Sequence, residues 1–180
     1  MDVFNCGELR TTMPVRRSGA YYRKNWWYYS PDVYHAMDAW MAGKCSVGLA
    51  IEEILGVLDS LGFRDRPLAL FGRGWPGIGL LFLSAVLPRV RACYLSRMPQ
   101  SWEMLLKAGH LCLDINHYVP GVLAYTDIPL ILHRNRDTRY VLADTRRVGR
   151  GGVNYSNRTR FPNVLLLRQE NPGAAAPASG

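Results

Sequence analysis

Three glycines between a predicted strand and a predicted helix have the spacing most suited to binding chemistry. Within FGRGWPGIGL they form the pattern G-x-G-x-x-G. Glycine lets a backbone approach a ligand closely, and the N–H groups at the start of a helix attract anions. We therefore expect an elbow that presents backbone N–H groups to an oxyanion, a carboxylate or an acyl-ester ligand, formed by Gly72, Arg73, Gly74, Trp75 and Gly77.

The same pattern permits nucleotide binding as an alternative. A G-x-G-x-x-G turn between a strand and a helix is typical of dinucleotide sites, where the helix start faces the pyrophosphate. Arg97 follows the second strand of this unit, where an arginine would meet the 2′-phosphate of NADP. Against this alternative, Trp75 and Pro76 crowd the turn, and a long helix precedes the strand.

Hydrophobic patterning places this turn in an α/β fold. Apolar spacings of three and four predict helices at 32–40, 46–61, 78–87 and 101–113, with a short helix within 117–133. Short apolar runs predict strands at 67–71, 91–96, 139–143 and 163–168, and residues 145–160 are predicted to be a long loop. The connection between the first two strands requires them to be parallel. We expect a short, mostly parallel sheet with helices on both faces.

Two stretches, FGRGWPG and VPGVLAYTDIPL, carry a family resemblance. Together with the order of predicted elements over residues 34–144, they resemble the later part of α/β-hydrolase-fold acyl esterases related to acetyl-xylan esterases. The resemblance implies a truncated α/β-hydrolase-like domain. It also implies ester hydrolysis, in which a serine on a strained elbow attacks, a histidine takes its proton and a carboxylate orients the histidine.

The residues at the matching positions depart from that pattern. Gly74 stands where the serine belongs, and Pro76 stands where the last glycine of the elbow belongs. Asp144, at the end of the third predicted strand, occupies the acid position. The histidine should follow the acid, but the chain's histidines are His35, His110, His117 and His133. We therefore expect a degenerate or non-catalytic domain.

Some alternatives to a lost active site remain. An active acyl-ester hydrolase, for example one acting on carbohydrate acetyl esters, would need Cys45, Ser84 or Ser96 as its nucleophile. His117 is a candidate for the cleft beneath the elbow, and local packing is the alternative role. Asp127 is expected to cap the turn that follows it.

Charge and composition limit the classes of partner, metal and cofactor that the chain could bind. The chain has 180 residues and a net charge of +8. Residues 31–130 hold eight Lys/Arg and nine Asp/Glu, so the excess lies in the flanks. Aromatic residues interleave with basic ones in YYRKNWWYYS (21–30), which makes nucleic acid a possible partner. The four cysteines are widely separated, so we expect no structural metal, and we expect no cofactor.

We predict three segments. Residues 1–30 are a basic, aromatic-rich N-terminal segment, 31–170 the α/β domain, and 171–180 a tail that is disordered by composition. A truncated sheet leaves an edge that favours a protein partner or self-association. With no signal peptide and no apolar run of membrane-spanning length, we expect a cytoplasmic protein without a membrane segment.

Overall fold

The computed structural model describes residues 31–63, 65–108, 113–149, 152–155 and 162–167. The predicted N-terminal segment and tail, as well as His110, lie outside these residues. Within these ranges, the protein has no helix with the length and apolar character needed to cross a membrane.

The secondary structure of this part of the chain begins with helices and ends with strands. The helices are α1 (Pro31–Met41), α2 (Ser46–Ser60), α3 (Trp75–Val86), α4 (Trp102–Lys107) and α5 (Ile128–Arg134), with 3-10 helices at Ile115–His117 and Val122–Ala124. The strands are β1 (Leu68–Arg73), β2 (Val90–Ser96), β3 (Arg139–Ala143), β4 (Arg146–Gly149), β5 (Gly152–Tyr155) and β6 (Val164–Leu167).

Four strands form a parallel sheet in the order β1-β2-β3-β6. Their register aligns Phe71, Tyr94, Val141 and Leu165 in one row across the sheet. Helix α3 joins β1 to β2, as a parallel crossover requires. The prediction of an α/β fold with a short, parallel sheet is therefore confirmed.

The helices pack in layers on one face of the sheet. Helix α3 contacts both β1 and β2, and it also contacts α5. Helix α2 packs over α3 at Gly79, where an added Cβ would lie 3.5 Å from Ile51. Trp102 of α4 stacks on Phe82 of α3 with the ring centroids 5.7 Å apart. The buried core lies between this layer and the sheet.

In the described part of the chain, the opposite face of the sheet is partly open: Ser96 and Ala143 are buried near its carboxyl edge, but other residues are exposed. Successive residues of a strand point to opposite faces, so Gly72, Leu95 and Leu142 are buried under the helices. On the other face, Phe71 is 73% exposed and Leu165 is 56% exposed. Among the described residues, the expected helices therefore cover one face and not both.

Two predicted elements differ from the structure. Part of the predicted loop at 145–160 is an antiparallel hairpin in which Val148 pairs with Val153. Its arginine-rich and glycine-rich sequence hides the alternation of apolar residues that predicts a strand. Helix α4 ends at Lys107 instead of continuing to 113, and residues 109–112 of the predicted helix lie outside the described ranges.

Candidate functional site

The elbow joins the end of β1 to the start of α3. Gly74 has φ 69° and ψ −147°, and its N–H donates to the Ser96 carbonyl at 2.7 Å. This backbone region is nearly restricted to glycine, and another residue there costs about 1–3 kcal/mol. The elbow is therefore a sharply turned strand-to-helix connection, fixed to the neighbouring strand β2.

Gly72 and Gly77 allow β1 and α3 to approach each other very closely. A Cβ on Gly72 would lie 2.8 Å from the Gly77 Cα and 2.7 Å from a methyl carbon of Leu80. Both distances are shorter than ordinary contacts between carbon atoms, which are about 3.5–4.0 Å. The first glycine of the pattern is thus required by the packing of the helix on the strand, whereas a Cβ on Gly77 would lie at an ordinary contact distance of 3.5 Å from the Gly72 carbonyl carbon.

Three predicted residues meet at the carboxyl edge of the sheet. Gly74 follows β1, Arg97 follows β2, and Asp144 follows β3. The N–H of Arg97 donates to the Ala143 carbonyl at 3.0 Å, which extends the ladder by one residue beyond the strands. Arg97 has φ 56° and Asp144 has φ 49°, so the chain turns sharply after each of the three strands. The elbow, the proposed phosphate-binding arginine and the acid candidate are therefore neighbours.

The elbow offers an anion fewer N–H donors than a glycine-rich phosphate loop does. Pro76 has no N–H, and the Gly77 N–H donates to the Gly74 carbonyl at 3.1 Å. The partly buried indole of Trp75 lies at the first helical position and packs against the core. Anion binding at this turn would therefore depend on one or two N–H groups together with nearby arginine side chains.

His117 lies on a different element from Asp144. It ends the first 3-10 helix, which packs against α1, α2 and α3. The His117 ring is buried, with Nδ1 3.1 Å from the Asp114 carbonyl oxygen, and the His117 carbonyl accepts from Trp102 Nε1 at 3.0 Å. These contacts give His117 a local packing role, and its role in a cleft stays a prediction.

Two of the three alternative nucleophiles have structural roles, and the third is buried. Cys45 is the N-cap of α2, where its Sγ accepts from the Gly48 N–H at 3.3 Å. Ser84 is buried in α3 and donates to the Leu81 carbonyl at 2.6 Å. Ser96 is 8% exposed. Sequence reasoning missed the cap because cysteine is not among the preferred N-cap residues.

Ser84 belongs to a buried polar cluster between α3 and β3. Its hydroxyl lies 2.7 Å from the Tyr140 hydroxyl, and Asn135 Nδ2 donates to that hydroxyl at 2.7 Å. Burial raises the pKa of Tyr140 above its ordinary value, although the Ser84 hydrogen bond opposes this. Burial also raises the pKa of Cys93, next to Ser84, to about 12. These groups stay protonated at neutral pH and hold the core together.

Asp127 is the helix cap that the sequence predicted. Its carboxylate accepts from the Ile128 N–H at 2.7 Å at the start of α5. The same carboxylate accepts from the Trp102 N–H at 2.8 Å and from the Ser101 hydroxyl. Asp127 therefore ties the starts of α4 and α5 together, a second contact that sequence spacing did not reveal.

An apolar groove lies away from the elbow glycines. It has a volume of about 570 Å³, and its lining includes Trp40, Trp102, Leu106, Tyr118 and Leu123. The VPGVL segment forms one wall of this groove. Sequence reasoning found the segment through its family resemblance but not the groove, because the other wall comes from distant α1 and α4.

Neither a metal site nor a matching relative indicates a function for this chain. Within the described part of the chain, no three His, Cys, Asp or Glu side chains are grouped to hold a metal ion. No protein-family model, no curated protein and no solved structure matches this chain. The resemblance to acyl esterases therefore stays a prediction that depends on the motifs and the order of elements.

Proposed function

We propose that this chain is an α/β-hydrolase-like domain that does not catalyse ester hydrolysis. The observation that carries the proposal is the elbow, where Gly74 has the sharply turned backbone of a nucleophile position but no side chain. Nucleophile and base act as a unit in such sites, so the loss of the serine removes nearly all of the catalysis. Within residues 145–180 no histidine is available for the position of the base.

The positions of the neighbouring residues support this proposal. A hydrolase of this class carries its acid later in the chain than its elbow, at the end of a strand in the same sheet. Asp144 follows β3, two strands from the elbow strand β1. The order β1-β2-β3-β6 agrees with this arrangement, because the four strands of this sheet follow one another in chain order, with the β4–β5 hairpin inserted between β3 and β6.

The remaining chemistry of the elbow is weak anion binding. The start of α3 and residue Arg97 lie at the same edge of the sheet. They suit a carboxylate or an ester carbonyl that is bound without being cleaved. The chain would then act by binding a ligand or partner rather than by turnover.

The test is hydrolysis of a short-chain chromogenic acyl ester by the purified chain, beside a Gly74→Ser variant and a protein-free blank. We expect neither protein to exceed the blank after several equivalents of substrate, because the base is missing even when the serine is restored. Sustained turnover by the wild-type chain would contradict the proposal. Substitutions at Cys45 and Ser96 would then identify the nucleophile.

Nucleotide binding is a second candidate, favoured by one specific arrangement. Arg97 follows β2 beside the glycine turn, which is where a 2′-phosphate would be read. The measurement is the shift in melting temperature on adding NADP, compared with NAD, for the wild-type chain and Arg97→Ala. Stabilisation by NADP alone that disappears in the variant supports this candidate. Equal shifts in melting temperature with NADP and NAD, or no shift with either, exclude this candidate.

A further inference from the structure

The open face of the parallel sheet carries an aromatic pair that is available for stacking. Phe71 of the edge strand β1 and Tyr94 of β2 are adjacent in the register. Their rings are stacked, with centroids 4.6 Å apart and an interplanar angle of 6°. Because β1 is at the edge of this sheet and Phe71 is 73% exposed, the second ring face of Phe71 is accessible.

The row of residues that begins with Phe71 and Tyr94 continues across the sheet with apolar side chains. Val141 and Leu165 follow Tyr94 on β3 and β6, and four strands at about 4.8 Å spacing make the row about 14 Å long. Sheet surfaces of this kind hold two or three nucleotides in proteins that read single strands by stacking on aromatic residues. The row is therefore long enough for a short single-stranded segment.

Charge selects the kind of partner that fits this face. The described residues that point to this side are Ala69, Phe71, Arg73, Ala92, Tyr94, Ser96, Arg139, Val141, Ala143 and Leu165. Arg73 and Arg139 are exposed and lie at opposite ends of β1 and β3, and no side chain of this set is acidic. Two copies packed face to face would bring arginines together, whereas a polyanion would satisfy both.

We propose that the face defined by Phe71, Tyr94, Arg73 and Arg139 binds single-stranded nucleic acid. One base stacks on the exposed ring face of Phe71 and continues the stack that Phe71 makes with Tyr94. The phosphates contact Arg73 and Arg139, while Val141 and Leu165 contact the sugars. Arg73 belongs both to this face and to the elbow, but the stacking of Phe71 on Tyr94, which carries the inference, does not depend on the function proposed for the elbow.

The experiment is fluorescence anisotropy with a labelled oligothymidylate of about 12 nucleotides, a length within the usual range for such sites. We expect Phe71→Ala to weaken binding by about ten-fold, since stacking of one base contributes about that much. Phe71→Trp should bind like the wild type, and Phe71→Leu should bind like Phe71→Ala. Arg73→Ala should reduce the salt dependence of the logarithm of the binding constant by about 0.7, the value for one phosphate contact.

Tyr125→Ala is the matched control, because Tyr125 is an aromatic residue that is 85% exposed outside the sheet. It should leave binding unchanged. The proposal is overturned if the wild-type chain does not bind at low salt, or if Phe71→Ala binds as the wild type does, since the basic flanks would then account for binding. Unchanged affinity in Phe71→Leu would also overturn it. So would conversion of an oligomer to a monomer by Phe71→Ala, because the face would then join two copies of this chain.

Discussion

The close approach of Gly72 and Gly77 makes a Gly72→Ala substitution the sharpest test of the elbow. The added Cβ would lie 2.8 Å from the Gly77 Cα, and contact at normal distance requires β1 and α3 to separate by about 1 Å. The Leu80 methyl group can rotate away, but the Gly77 backbone cannot. Overpacking of this kind costs about 1–3 kcal/mol, offset in part by the lower entropy of the unfolded variant. We expect a net loss of about 2 kcal/mol in the free energy of unfolding.

Gly56→Ala is the matched control within the same chain. Gly56 lies in α2, and an added Cβ there would have no heavy atom within 4 Å. Alanine should stabilise this helix by about 0.5–1 kcal/mol. Urea denaturation should therefore show opposite changes for the two substitutions at similar m-values, with the melting temperature of Gly72→Ala lowered by about 4–8 °C. Equal stability of Gly72→Ala and the wild type would refute the packing argument for the elbow.

Other predictions concern the Asp127 cap and the buried polar cluster of the core. Asp127→Ala should lower the free energy of unfolding by about 2–3 kcal/mol, because three donors lose their acceptor, and Asp127→Asn should lose less; urea denaturation of both variants checks this. Tyr140→Phe should cost about 1–2 kcal/mol in the same assay, since Ser84 and Asn135 lose a shared partner. Burial raises the pKa of Cys93 from 9.0 to about 12, so the unfolded chain releases this proton first and stability falls as the pH rises over that range. The difference in unfolding free energy between the wild type and Cys93→Ala should shrink over that range. If that difference in unfolding free energy stays constant as the pH rises, the raised pKa of Cys93 is contradicted.

The sequence was sufficient to predict the part of the fold that positions the elbow. Buried parallel strands are short apolar runs, and a helix that packs on them is long and apolar, so PLALF (67–71) and IGLLFLSAVL (78–87) predicted β1 and α3, with bounds that differ from the observed ones by one to three residues. The glycine pattern predicted the turn, because few other residues permit the backbone of Gly74 or the close contact at Gly72.

The remaining features depend on which elements face each other, and local patterns do not contain that information. The second contact of Asp127 joins it to Trp102, which is distant in sequence. The open sheet face could not be predicted because Phe71 and Tyr94 have the same apolar character as the buried side chains. Alternation within β1 separates the two faces, but only the placement of the helices decides which face is covered.

Labelling with a fluorophosphonate, followed by intact-mass measurement, tests the central claim most directly. This reagent modifies serines that a neighbouring base has activated, and the proposed elbow has neither serine nor base at the matching positions. We expect no adduct on the folded wild-type chain. A stoichiometric adduct on one serine that disappears when the chain is unfolded would show an intact catalytic centre and contradict the account.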